Sequence, residues 1–77
     1  MELKQILKDI ACAIVDHPDE VNVVEEIDGD DIELTLTVAE SDTGMVIGRH
    51  GRIAKAIRQV MKAAANTVGK HVTVEIR

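Results

Sequence analysis

At 77 residues the chain is too short to divide, since neither half would bury enough surface to offset its conformational entropy; one domain over residues 1–77 is expected, and a sizeable enzyme cleft is excluded. With 45% hydrophobic residues but no Phe, Tyr or Trp, the core must be aliphatic, and the composition excludes a disordered tail. The net charge of −5 conceals a division: residues 1–42 hold Lys4 and Lys8 against thirteen acids, a net −11, while residues 43–77 hold seven Lys or Arg against Glu75, a net +6.

That asymmetry fits either a polyanionic partner for the basic half or charge balance within the folded molecule. Cys12 has no partner for an internal disulfide, and with His17, His50 and His71 it shows no paired zinc-ligand spacing, so neither metal nor other cofactor is expected. A reduced, cytoplasmic setting fits this cysteine usage. No apolar run approaches the ~20 residues needed to span a bilayer, and the acids within MELKQILKDIACAIVDHPDE are unlike a signal peptide, so a soluble protein without a membrane partner is expected.

In chain order, Leu3, Ile6, Leu7, Ile10, Ala13 and Ile14 recur at helical spacing and predict a helix over about residues 2–15, with Cys12 opposite the apolar stripe, exposed or covered by a partner. Pro18 cannot continue that helix. Val21, Val23, Val24 and Ile27 form a β-branched run, and DIELTLTV then alternates Ile32, Leu34, Leu36 and Val38 with polar residues, a hairpin turning at Asp28 and Gly29. The acids of DGDDIE lack the calcium-loop pattern and are read as the turn.

Ser41, Asp42 and Thr43 offer side-chain caps for a short helix through Met45, Val46 and Ile47, which Gly48 ends. After Gly51, Ile53, Ile57, Val60, Met61, Ala64 and Val68 share one arc of a long helix closed by Gly69. Met61 is expected at the edge of this stripe; with MKAAA it would either permit close packing of two chains or be ordinary core. Val72, Val74 and Ile76 alternate as a final strand, completing the order α-β-β-α-α-β.

VIGRHGRI sets Arg49, His50 and Arg52 around Gly48 and Gly51. Two helices joined by Gly-x-x-Gly leave amides unpaired where the second begins, and those amides with the helix dipole suit one or two phosphates. Glycine lets a sugar-phosphate chain lie against the backbone, and Arg49 and Arg52 can add charge-assisted hydrogen bonds. The same pattern also serves as a plain helix-turn-helix corner. Nearby, Arg52, Lys55, Arg58 and Lys62 lie opposite the apolar stripe, as on any solvated helix face. Arg58 and Lys62 begin roughly 10 to 16 Å beyond Gly51 at helical rise, so Arg49 and Arg52 rank first and Lys55 second. His50, mostly neutral near pH 7, is either a hydrogen-bonding contact or solvent-exposed.

Taken together, VIGRHGRIAKAIRQVMKAAA and the element order resemble a KH domain of the second topological type, in particular the small bacterial single-KH proteins of the KhpA family. The likeness spans essentially the whole chain and is strongest from Ser41 to Ala65. It implies an α+β fold with a three-stranded sheet and helices packed on one face. It further implies a cradle for about four nucleotides of single-stranded RNA, without catalysis. Gly48, Arg49, His50 and Gly51 would form the loop, Val46 and Ile47 would support it or line an aliphatic groove, and Arg52 and Lys55 would follow at the helix start. As a family, such proteins self-associate and pair with the larger KH protein KhpB, so a homodimer or a KhpB heterodimer acting as an RNA chaperone or post-transcriptional regulator is implied, with a dimerising adaptor as the alternative.

Overall fold

Helix α1 (Leu3–Ile14) turns Leu3, Leu7 and Ala11 into the core at four-residue intervals, while Ile6, Ile10 and Ile14 pack half-buried beside them. The computed structural model describes residues 2–77, the Arg49 side chain excepted. Ala13, expected in the apolar stripe, is exposed, and Ala11 takes its place. Cys12 is half-buried and not opposite the stripe in solvent, because the chain doubles back after α1 and brings the Pro18 carbonyl oxygen to 3.7 Å from its Sγ. Past Val15 the backbone is extended, and one 3-10 turn at Pro18–Glu20 leads into the sheet.

Strands β1 (Asn22–Asp28) and β2 (Asp31–Thr37) form an antiparallel hairpin in register from Asn22↔Thr37 to Asp28↔Asp31. Gly29, at φ 63, takes the positive dihedral that this two-residue turn demands. Strand β3 (His71–Ile76) lies parallel to β2, from Asp31↔His71 to Leu36↔Ile76, so β2 is central in the order β1-β2-β3. Alternation sends Ile32, Leu34, Leu36, Val23 and Val74 to the helix-covered face, where all five are buried. On the other face the register aligns Glu26, Asp28, Asp31, Glu33 and Glu75, all exposed.

A parallel pair needs a crossover, and residues 38–70 supply it. After a 3-10 turn at Glu40–Asp42 come α2 (Thr43–Ile47) and α3 (Arg52–Thr67). The expected side-chain caps of α2 do not form: Asp42 turns its carboxylate toward the segment after α1, and Thr43 Oγ1 donates to the Ala39 carbonyl at 3.3 Å. Helix α3 buries Ala54, Ile57, Met61 and Ala65. Its covered flank is thus rotated toward the alanines, whose small side chains permit close approach, leaving Val60 and Val68 exposed at 50% and 40%. Met61, expected at the edge, is wholly enclosed. At the far end Gly69, at φ 69, closes α3 as Lys70 and Gly69 amides donate to the Ala65 and Asn66 carbonyls. The result is an α+β fold with its helices on one face of a three-stranded sheet, and among the described residues no helix is long and apolar enough to cross a membrane.

Candidate nucleic-acid interface

Between α2 and α3 the backbone bends through three positive φ values, 51 at Gly48, 60 at His50 and 64 at Gly51. The two glycines answer different needs. A Cβ at Gly48 would sit 3.3 Å from the Met45 carbonyl oxygen, so this position is closed by dihedral and by space alike. A Cβ at Gly51 would meet nothing within 4 Å, so only its left-handed backbone is demanding, and the room beside it is open. His50 tolerates the left-handed region better than most side chains, and it is exposed.

The Gly51 amide donates to the Gly48 carbonyl at 3.3 Å, so it is not one of the open donors that a Gly-x-x-Gly bend suggests. Gly51 is the N-cap of α3 and no side chain caps the helix, so the positive end of its dipole faces the bend. Arg52 and Lys55 stand exposed on that first turn, and neither enters any of the ion pairs found among the described residues.

An apolar groove borders the bend, lined by Gly44, Met45, Gly48, Arg52 and Ile53, with Met45 38% exposed; Ile47, expected to support the loop or line the groove, is 41% exposed and is not among its lining residues. Val46 is completely buried and can only support the bend from below. The Arg49 side chain, ranked first with Arg52 on sequence grounds, lies outside the described residues. Arg58 is drawn away from the bend, its Nε donating to the Val74 carbonyl at 3.2 Å. Met45 was not singled out by its sequence position; its place one turn before Gly48 was the available signal.

Behind the bend, Asp42 is the one buried charged residue among those described, 1% exposed. Its Oδ2 accepts from the His17 amide at 3.0 Å and lies 3.0 Å from His17 Nδ1, while Oδ1 accepts from the Asp16 amide at 3.4 Å. Burial pushes the Asp42 carboxyl up, but the His17 ring and the two amides outweigh it and hold it below the usual value. The hydrogen bond and then the charge of Asp42 hold His17 above its ordinary value against desolvation, with Glu20 and Asp16 adding to the effect.

The family model for the KhpA/KhpB KH domain matches residues 4–76. The chain belongs to the KhpA/KhpB family of KH domains. Among its relatives, RNA-binding protein KhpA of Clostridium acetobutylicum is 55% identical over 74 residues, 96% of this chain and 99% of that one. RNA-binding protein KhpA of Bacillus subtilis is 45% identical over 96% of this chain and 91% of that one. A solved structure, Era of Aquifex aeolicus, superposes with a TM-score of 0.71 at 20% identity, over 96% of this chain and 29% of that chain, and so shares the fold. Within the KH fold of this chain, the helix–bend–helix that carries Gly48–Gly51 is the crossover between two parallel strands.

Proposed function

We propose that this KH domain binds single-stranded RNA across the bend, with residues 1–77 acting as one unit. Its phosphates lie against Gly48–Gly51 and the first turn of α3, where Arg49, Arg52 and Lys55 supply charge. His50 adds a polar contact, and bases rest on Ile47, with Met45 and Ile53 extending the aliphatic surface. Val46 holds the bend from the core. One observation carries the reading: the α3 N-terminus, with no side-chain cap, and the cations Arg52 and Lys55, in no ion pair among the described residues, adjoin open space at Gly51.

The acidic outer sheet face supports a one-sided mode of binding, since it repels polyanions. With about three phosphates neutralised, log affinity should fall against log salt with a slope of roughly −2. The activity is binding and not catalysis, in a cytoplasmic RNA chaperone or post-transcriptional regulator. Replacing Arg49→Asp together with His50→Asp should abolish RNA binding and leave the melting transition in place. Unchanged affinity by fluorescence polarisation overturns the assignment.

A specific observation also favours assembly. Ile10, Ile14, Ile53, Ala56, Ile57 and Val60 line an apolar trough between α1 and α3, which fits a homodimer or a KhpB heterodimer. Two weak RNA sites would then act together. In the adaptor alternative this trough is the primary site and RNA contact is incidental.

A further inference from the structure

We infer that Asp42 is the positioning residue of the Gly48–Gly51 loop: its buried carboxylate clamps the start of α2 to the main chain of Asp16 and His17, so the loop is placed from the end of α1. This deepens the RNA-binding reading and, in its effect on affinity, rests on it.

Helix α2 has five residues and cannot hold its own shape. Two attachments flank it. Val46 is buried in the core one turn before the bend, and Asp42 is buried immediately ahead of Thr43. Between them they define both where α2 lies and the direction in which it delivers Ile47 and Gly48. A single apolar peg permits rotation about itself; a second, directional attachment removes that freedom.

The other half of the clamp is built by the chain before Pro18. Val15, at φ −84 and ψ 160, ends α1, and Pro18 then holds His17 at φ −122 and ψ 71, so the amides of Asp16 and His17 are left without helical acceptors. Both turn to Asp42, from a distance of 26 and 25 residues in sequence. The carboxylate and the amides satisfy one another, one amide to each oxygen, and the imidazole edge makes a second contact to Oδ2, with Ser41 Oγ 3.4 Å from the same ring nitrogen. Among the described residues no buried side-chain N or O is left without a partner, both Asp42 oxygens included.

Asp42→Ala, Asp42→Asn and His17→Ala separate positioning from plain structural support. Amide resonances of Gly48 and Gly51 should shift and broaden in folded Asp42→Ala, and single-stranded RNA affinity should drop about 3- to 30-fold. Asp42→Asn, which keeps one acceptor, should recover part of both. His17→Ala leaves both main-chain bonds and should move both readouts least. Should Asp42→Ala fail to fold, the Asn and His17 variants decide by the same graded order. Unmoved Gly48 and Gly51 resonances in folded Asp42→Asn overturn the inference. If the wild-type chain binds no RNA, the function proposed above fails, while the glycine resonances still test the clamp.

Discussion

Arg58 Nε donates to the Val74 carbonyl oxygen at 3.2 Å, tying the middle of α3 to the free edge of β3. His71 and Arg77 direct their amides to the Asp30 and Leu36 carbonyls on the β2 side, so by alternation Val74 directs its carbonyl outward, where Arg58 meets it. Arg58→Met keeps the stem but removes the donor, and should destabilise the fold by about 1 kcal/mol in urea denaturation. Arg52→Met, which touches no such acceptor, should stay within about 0.5 kcal/mol of wild type while weakening RNA binding. Equal stability losses in the two would contradict this division of labour.

The two loop glycines should respond differently to substitution. Gly48→Ala meets both a positive φ and the Met45 carbonyl, and should lower stability by about 1–2 kcal/mol. Gly51→Asn suits the left-handed backbone and finds empty space, so the melt should change little. RNA affinity should nevertheless fall, because the new side chain occupies the room beside the α3 amides. Polarisation and thermal melts on both variants check this pair of outcomes, and full RNA affinity in Gly51→Asn would show that no backbone passes there.

Val60 and Met61 are neighbours in sequence with opposite fates. Met61→Asp places a carboxylate in the centre of the core and should cost several kcal/mol, comparable with the whole stability of so small a domain. Val60→Asp alters only the exposed wall of the α1–α3 trough and should leave a folded chain; on the proposed assembly it is monomeric where wild type is not. Circular dichroism and sedimentation distinguish the two. A Val60→Asp chain that keeps its oligomeric state excludes the trough as the interface.

The His17–Asp42 contact gives stability a pH signature. The histidine pKa is raised, so its contribution is complete below the ordinary 6.5 and is lost as pH climbs through the folded-state value. The aspartate pKa is lowered, so its contribution is present above the ordinary 3.8 and is lost as pH falls through its lower folded-state value. The Tm difference between wild type and His17→Ala should therefore be largest between those limits and shrink on the alkaline side as pH rises through the raised histidine value. A difference that widens on that alkaline side contradicts the contact.

The strands were legible because one physical rule governs them. Ile32, Leu34, Leu36 and Val38 alternate with polar residues and are all buried, whereas in the β-branched run of β1 only Val23 is buried while Val24 and Ile27 are exposed. Helix α3 was legible as a helix but not in its rotation: hydrophobicity ranks Val60 above Ala54, whereas packing against a sheet rewards the small residue that lets two backbones approach. Cys12, opposite the apolar stripe by helical position, is half-buried because it packs against the core's edge, with the Pro18 carbonyl of the following loop beside its Sγ. Of the candidate site, Gly48, His50, Gly51, Arg52 and Lys55 are brought to one bend as their adjacency suggests. Asp42 reads locally as a cap for α2; its partners lie 25 and 26 residues away, and no local pattern encodes such a pairing.

The parallel pairing of β2 with β3 makes the bend part of a connection that only sheet closure completes. Gly48–Gly51 lies between Thr37, the last residue of β2, and His71, the first of β3, so the far end of α3 is moored only when His71–Ile76 add to the sheet. A fragment ending at Lys70 should therefore keep the motif and the Asp42 contact while losing the mooring of α3.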